Sequence, residues 1–441
     1  MQNIIRAVEK HRDLIFAAER RIWSHPETGY KEYKTNAYMA EQFEKLGYTL
    51  TYGDGITGFY TVIDTGKEGP EVMILAELDS VICPSHPESD PETGAVHSCG
   101  HNAQCAALLG IAAALKEEGM LDGLSGRIRL CTVPAEELLE IEYRRELQAQ
   151  GKIKYLGGKS EFLHRGYFDG VDIAFMVHTG GGWSIDAGAV GFITKNIIYK
   201  GVAAHAGGSP WEGKNALYAA TCGINAANAL RETFKDSDLI RFHPIITGGG
   251  NMVNAIPEQA QIETYVRGKT FEAIEKANKR INQALIGAAL SLDNNIEIID
   301  IPGYAPLVNS KGMMQTAKEA IDSLFPELNV PMTDRYSTGS TDMGDLSCVM
   351  PVIHPHCGGA TGNAHGNNYQ ISDPETACVK SAEWQLAMLT LLLQNDAKKA
   401  KEIVSNFKPM FSKEGFLAYL DSLNRSGDRI IYKENGAEIT L

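Results

Sequence analysis

The stretch EVMILAELD, residues 71–79, decides the fold because it is almost continuously apolar and ends in a carboxylate. Such a run predicts a strand buried on both faces, as in a parallel sheet that helices cover. GRIRLCTV (126–133) and VDIAFMVH (171–178) follow the same pattern, and FYTVIDTG (59–66) is a weaker version of it. The Ala- and Leu-rich segment 102–119 predicts a helix between them. This alternation indicates an α/β fold with a mostly parallel sheet.

The order of predicted elements changes near residue 190 and changes back near residue 304. A β-α-β-β-α-β order between these points is typical of a small ferredoxin-like α+β domain. We therefore predict an insertion between two halves of a catalytic domain. Further helices are predicted at 4–22, 36–47, 310–324 and 375–394. The predicted boundaries are 1–189 and 304–395 for the catalytic domain, 190–303 for the insertion and 396–441 for a C-terminal appendage without a clear repeat.

Length and charge limit the classes of function. A chain of 441 residues is too long for one ordinary core, so two or three domains are expected. A net charge of −14 argues against nucleic acid or an anionic membrane as the main partner, since both attract an excess of Lys and Arg. No apolar run reaches the roughly 18 residues of a membrane span. The eight scattered cysteines are typical of reduced thiols in a cytoplasmic protein.

The stretch HSCGHNAQ (97–104) places His97, Cys99 and His101 on alternate positions. Three interpretations compete: core packing, a cysteine nucleophile with an imidazole base, and a metal site. A nucleophile needs one thiol and one base, and it leaves the other polar groups without a purpose. Thiolate and imidazole together suit zinc, with carboxylates completing the site.

Other polar side chains follow the ends of the predicted strands. Asp79 ends the first strand, Glu136 and Glu137 follow the next in VPAEE, and His178 ends the third. Chemistry in parallel sheets collects at this carboxyl edge. A metal site there could use one glutamate as a ligand and its neighbour as the general base. His365 in AHGNNY is a further candidate from the second half.

Several blocks together carry a family resemblance: HSCGHN, VPAEE, DIAFMVHTG, AAHAGGSPWEGKNAL, NMVNAIPEQAQIETYVRG and AHGNNY, in this order. Over residues 5–395 the chain resembles the dinuclear-metal aminoacylase/carboxypeptidase family. The similarity is to its amidohydrolase branch, which includes p-aminobenzoyl-glutamate and indoleacetyl-amino acid hydrolases. The resemblance implies two divalent metal ions, zinc or manganese, with cobalt as a third candidate. It also implies that the inserted domain is a lid through which a homodimer forms.

The resemblance assigns roles residue by residue. Cys99 would bridge the two ions, and Glu136 would be the general base. Asp79 would orient a metal ligand from behind, and His205 would steady the substrate's carbonyl from the partner subunit. The remaining metal ligands would be His101, Glu137, His178 and His365, and the substrate would be held by Asn254, Arg267, Gly339, Ser340 and Thr341.

Some positions depart from the family pattern. Asn102 and Gln104 stand where the branch usually has Asp and His. Leu138 and Leu139 replace a Gly-rich turn and begin a longer charged segment, 138–165. An unusual Pro- and acid-rich stretch at 84–97 replaces the usual entry loop. These departures bear on substrate choice more than on metal binding.

We therefore expect a metal-dependent amidohydrolase that cleaves the amide of an N-acyl, N-aroyl or N-aminoacyl amino acid. A metal-bound hydroxide would attack, with Glu136 as the general base. The substrate would be a small acyl-amino acid or dipeptide. The alternative, suggested by the departures, is a non-catalytic small-molecule-binding protein of the same fold.

Overall fold

A computed structural model describes all 441 residues, which form two compact units. The first unit contains Met1–Gly188, Leu307–Tyr336 and Thr341–Lys413. The second contains Ala189–Pro306, Ser337–Ser340 and Glu414–Leu441. Each unit has its own hydrophobic core.

A six-stranded sheet forms the centre of the first unit, and it is mostly parallel, as predicted. Its fully buried strand Glu71–Glu77 runs parallel to its neighbours on both sides. The weaker predicted strand, Phe59–Asp64, is instead antiparallel to Arg127–Val133. One face of this strand is partly exposed, with Val62 at 41%, which explains its lower apolar content. The spatial order is Thr51–Tyr52, Phe59–Asp64, Arg127–Val133, Glu71–Glu77, Ile173–Phe175 and Val352–Ile353.

Helices cover this sheet. The helix His101–Ala114 is buried along its whole length, because its residues are almost all small or apolar. The helix predicted at 4–22 is two helices, with a break at Lys10 and His11, whose side chains both contact Glu117. The helices of this unit are Gln2–Glu9, Arg12–Trp23, Tyr33–Lys45, His101–Ala114, Ile141–Ala149, Gly158–His164, Lys311–Leu324, Pro326–Leu328 (3-10), Met343–Ser347, Glu375–Lys380 (π) and Ser381–Asn406. Short strands lie at Val81–Ile82, Ala95–Val96, His178–Thr179, Gly188–Ala189, Leu307–Val308, Tyr336–Ser337, His356–Cys357, Ala360–Thr361 and Gln370–Ile371.

The second unit contains the predicted β-α-β-β-α-β order in an antiparallel sheet. Its helices, Ala216–Asn228 and Phe271–Ser291, begin at Asn215 and Thr270, whose side chains accept backbone N–H groups. The strands lie in the order Arg241–Phe242, Gln259–Gly268, Gly191–Lys200 and Asn295–Pro302, and Ile245–Gly248 also pairs with Gln259–Gly268. Single 3-10 turns occur at Pro210–Glu212, Arg231–Thr233 and Asp236–Asp238.

The last 46 residues are more ordered than the sequence predicts, since they include the helix Lys413–Leu423 and a hairpin of Ile430–Lys433 with Gly436–Ile439. Between these elements the backbone pairs with the edge strand Asn295–Pro302: Arg425 and Asp300 exchange N–H···O bonds of 3.0 and 2.7 Å. The chain's own C-terminal segment thus covers one edge of the second sheet. No helix in the chain has the length and apolar character needed to cross a membrane.

Candidate active site

Cys99 and His101 are placed by a tight turn at Gly100, which precedes the buried helix His101–Ala114. Gly100 has a φ of 89°, and a Cβ at this position would press against the Tyr369 hydroxyl and Thr179. Glycine is therefore required here for both backbone and steric reasons. The turn brings the thiol and the imidazole to the carboxyl edge of the sheet.

Cys99 lies at the centre of two groups of side chains that could each hold a metal ion. The first group is Cys99, His101 and His178, and the second is Cys99, Glu137 and His365. Within each group the ligand atoms all lie within 4.8 Å of one another. The Cys99 Sγ is 3.4 Å from Nε2 of His178, and Nε2 of His365 is 2.9 Å from Oε1 of Glu137. One thiol is thus shared between two adjacent candidate sites.

Asp79 supports a member of each group. Its backbone carbonyl and its Oδ1 lie 2.9 and 3.2 Å from Nδ1 of His101. Its Oδ2 accepts the backbone N–H of Glu137 at 2.8 Å. With Nδ1 engaged in this way, the Nε2 of His101 is directed to the shared space beside Cys99.

The electrostatics are those of a crowded anionic site. Burial and Glu137 raise the pKa of the Cys99 thiol, but the rings of His101 and His178 outweigh them and lower it to about 6. Hydrogen bonds to Cys99 and Glu137 raise the pKa of His365 to about 11. Burial, with the charges of Glu77 and Glu137, raises the pKa of Glu136 well above its ordinary value. Positive charge on the neighbouring imidazoles favours the anionic forms of the buried thiol and carboxylates, and bound cations would supply the same charge.

The residues present fit a pair of metal ions. The buried Nε2 of His101 has no hydrogen-bond partner, although it lies 3.2 Å from Oε2 of Glu77. A buried imidazole nitrogen directed at a thiol and a second imidazole is suited to a ligand of zinc or a similar divalent ion. Thiolate, imidazole and carboxylate are also the donor types that such ions accept.

Sequence reasoning missed three buried charges beside the site. Lys159 donates to Glu77 and to Asp342, and all three side chains are fully buried. Glu77 also forms a third close group with His101 and Glu136. The sequence could have indicated Glu77 as a site residue, because it lies two residues before Asp79 at the same strand end. Lys159 had none, since a single Lys after two glycines resembles a solvated turn.

The two departures beside His101 have ordinary structural roles. Asn102 donates to Oε1 of the buried Glu19 at 2.7 Å. Gln104 accepts the backbone N–H of Glu77 at 3.3 Å. Neither side chain belongs to the groups around Cys99.

The other predicted residues, apart from Thr341, lie in the second unit. His205 is exposed, and its Nδ1 accepts the N–H groups of Gly207 and Gly208 at 3.1 and 2.9 Å, which leaves Nε2 to carry the proton. The backbone carbonyl of Asn254 accepts the N–H of Ala206 at 3.0 Å.

Arg267 is half-buried, and its guanidinium lies 5.4 Å from the centres of the Phe192 and Tyr265 rings. It donates to the Ser340 hydroxyl at 3.2 Å, next to the exposed Gly339. Thr341 is buried in the first unit.

The chain is similar to known proteins in sequence and in fold. The chain is 28% identical over 370 residues to a human Xaa-Arg dipeptidase, covering 79% of this chain and 77% of that protein. It is 27% identical over 314 residues to one of the chains of the p-aminobenzoyl-glutamate hydrolase of Escherichia coli, covering 67% of this chain and 60% of that protein. A dinuclear metal-binding M20 peptidase from Bacillus subtilis has the same fold, with a TM-score of 0.65 at 20% identity, over 87% of this chain and 99% of that one.

Residues 73–390 match the sequence profile of Peptidase family M20/M25/M40. This match spans more than half of the chain and includes every residue around Cys99 described above. The chain therefore belongs to Peptidase family M20/M25/M40.

Proposed function

We propose that this protein is a metal-dependent amidohydrolase that releases a free amino acid from an N-acyl amino acid or a dipeptide. The observation that carries the proposal is the pair of three-residue groups sharing the Cys99 thiol, with the buried Glu136 beside them. The human and Escherichia coli relatives described above are named for a dipeptide and for an aroyl-glutamate substrate, and both are amides of an amino acid.

The proposed roles follow from the positions. His101 and His178 would hold one ion, Glu137 and His365 the other, and Cys99 would contact both. The ions would be zinc or manganese, with cobalt as a third candidate, and they would polarise the scissile carbonyl and lower the pKa of a bound water. Asp79 fixes the ring of His101 and the backbone of Glu137, which keeps the ligands preorganised.

Glu136 is the proposed proton carrier. It is buried next to Glu77 and Glu137, and the shift of its pKa shows that its environment favours the protonated form when no cation is near. Positive charge beside it would favour the carboxylate, which can then accept a proton from water. The same carboxyl would deliver that proton to the departing amine.

Residues of the second unit are proposed to bind the substrate. The Nε2 proton of His205 could donate to the oxygen of the scissile carbonyl, where negative charge develops. The guanidinium of Arg267 offers two parallel N–H donors for the free carboxylate of the substrate. Asn254, Gly339, Ser340 and Thr341 would add further polar contacts around the substrate.

The proposed homodimer is supported by exposed apolar side chains of the second unit. Ile245 and Ile246 are 52% and 45% exposed on a strand whose outer edge has no partner. Nearby in sequence, Met252 and Val253 are 63% and 101% exposed. The opposite edge of this sheet is already covered by the C-terminal segment, so one edge remains open for a second copy.

The first experiment is a hydrolysis screen with dipeptides, acyl-amino acids and aryl-glutamate conjugates, with Zn²⁺, Mn²⁺ or Co²⁺ added. We expect turnover of at least one class and its loss in Glu136→Gln, which should still bind metal. A protein that binds two ions and cleaves nothing in the screen would favour the alternative of a non-catalytic binder. Full activity in Glu136→Gln would refute the proposed chemistry.

A mixing experiment tests whether His205 acts in the partner's site. The variants His205→Ala and Glu136→Gln are each expected to be inactive. Hybrid dimers would contain one site with both residues intact, so mixing should restore about a quarter of the wild-type activity. No recovery after subunit exchange, with hybrids detected by differential tagging, would show that His205 does not act across subunits.

A further inference from the structure

The loop that carries the two glutamates, residues 134–137, is held in an unusual conformation. We call it the glutamate loop. Ala135 has a φ of 57°, which is uncommon for a residue with a side chain and costs about 1 kcal/mol or more. Its N–H donates to Oε1 of the buried Glu32 at 2.8 Å. The surrounding structure must therefore supply contacts that keep this loop in place.

Arg144 supplies the side-chain contacts to the carbonyl groups of this loop, beside the backbone N–H groups of Gly158 and Leu139, which donate to Ala135 at 3.2 Å and to Glu137 at 2.8 Å. Its side chain is buried, and the Nη1 group donates to the carbonyl oxygens of Leu156 at 2.7 Å and Ala135 at 3.4 Å. The Nη2 group donates to the carbonyl oxygen of Glu137. The guanidinium therefore contacts the carbonyl groups of Ala135 and Glu137, the residues on either side of Glu136. A lysine could not reach these carbonyls from one position, because its donors radiate from a single nitrogen.

Arg144 makes these contacts without a direct ion pair, although the charge of Glu140 is near enough to interact with it and its guanidinium carbon lies 5.6 Å from the centre of the Tyr30 ring. No Asp or Glu oxygen forms an ion pair with it, and its Nε has no hydrogen-bond partner. A buried guanidinium whose hydrogen bonds all go to main-chain carbonyls is costly to desolvate. This desolvation cost indicates that the Arg144 side chain has a role besides packing.

The segment that contributes Arg144 is the one that departs from the family pattern. The helix Ile141–Ala149 follows Leu138 and Leu139, where the resemblance leads us to expect a Gly-rich turn. Gly29 leaves space for the guanidinium because it has no side chain. A Cβ at this position would overlap Nη2 of Arg144 and lie 2.9 Å from Cα of Ala135. Two separate parts of the sequence are thus adapted to this one side chain.

We propose that Arg144 is a positioning residue that sets the glutamate loop, and through it the half of the metal site to which Glu137 belongs. This inference rests on the proposed function. Glu137 is a member of the group with Cys99 and His365 but not of the group with His101 and His178. Loss of Arg144 should therefore weaken the binding of one ion much more than the binding of the other.

The test is a titration of metal-free protein with Zn²⁺, monitored by calorimetry. It compares the wild type, Arg144→Ala and Arg145→Ala. Arg145 is the matched control, because it is the exposed neighbour on the same helix with the same charge. We expect two ions in the wild type and in Arg145→Ala. In Arg144→Ala we expect one ion at nearly unchanged affinity and the other weakened by about 10- to 100-fold.

Kinetics give a second readout. A displacement of Glu136 by about 1 Å should lower kcat by about 100-fold with a smaller change in KM. Added methylguanidinium should restore part of kcat in Arg144→Ala by filling the vacated space, but not in Glu136→Gln. If Arg144→Ala does not fold, Arg144→Lys keeps the buried charge but cannot reach both loop carbonyls, and it should give the same selective loss of one ion.

The outcomes separate this inference from the proposed function. A wild-type protein that binds no pair of ions would refute the proposed function itself. A wild type that binds two ions, with Arg144→Ala binding both as tightly or losing both equally, would overturn only the role of Arg144.

Discussion

The buried ion-pair triad of Lys159, Glu77 and Asp342 allows a quantitative prediction about stability. All three side chains have zero exposure, and the Lys159 Nζ lies 2.5 Å from Oε1 of Glu77. Asp342 also accepts the backbone N–H of Lys159 at 3.0 Å. Glu77 ends a central strand, Lys159 lies in the helix Gly158–His164, and Asp342 precedes a third element. The ammonium therefore ties three parts of the first unit together beside Glu136.

Replacing Lys159 by Met keeps the length of the side chain and removes the charge. Both carboxylates then lose their ammonium partner, with Glu77 keeping its contact with His101 at 3.2 Å, and breaking a buried pair in this way costs about 3–5 kcal/mol. Asp342→Asn should cost less, because it leaves one Lys and one Glu paired. The double variant should cost less than the sum of the two single changes by about 1 kcal/mol or more, since the residues share one network.

Tryptophan fluorescence during urea unfolding can measure the free energy of unfolding of the first unit, to which this triad belongs. Trp23 and Trp384 are buried in the first unit, whereas Trp211 in the second is 76% exposed and should change little. Lys152→Met at an exposed position is the control, with an expected effect within about 0.5 kcal/mol. All samples should be metal-free and at one protein concentration. A Lys159→Met midpoint equal to that of the wild type, or strictly additive effects, would refute the reasoning.

Two further predictions concern pH and substrate binding. Burial, with the charges of Glu9 and Glu375, raises the pKa of Glu383 to about 8 in the folded protein. The folded state therefore binds this proton more tightly than the unfolded state, and stability falls as pH rises from about 4.5 to about 8, by at most about 5 kcal/mol. Glu383→Gln should have a higher melting temperature than the wild type at about pH 9 but not at about pH 4; equal melting temperatures at both would contradict this. Arg267→Lys should raise KM by about 10- to 100-fold with little change in kcat, because the proposed bidentate contact to the substrate carboxylate would be lost; an unchanged KM in steady-state assays would exclude that contact.

The sequence predicted those parts of the protein that depend on periodicity and on strand ends. Asp79, Glu137 and His178 each follow a run of apolar residues, so their meeting at one sheet edge could be anticipated. The antiparallel pairing of Phe59–Asp64 could not, because a half-exposed strand has the same alternation in either direction.

Buried cations were the main feature that sequence reasoning could not find. Arg144 and Lys159 are buried, but they lie in a segment rich in charge, and charged side chains are usually solvated; nothing in their spacing indicates burial. The turn that interrupts the helix Ser381–Asn406 lies where the predicted helix 375–394 ends, but the helix that resumes after this turn was not predicted. There Asn395, Asp396 and Ala397 all have φ values between 53° and 55°, a conformation that Asn and Asp adopt more readily than Ala.

The central claim is that one thiolate serves two metal ions, and equilibrium dialysis against Zn²⁺ tests it most directly. The wild-type protein should bind two ions per chain, and Cys99→Ala should bind both of them more weakly, because both candidate groups contain Cys99. If Cys99→Ala retained two ions at wild-type affinity, or if the wild type bound none, the account would be contradicted.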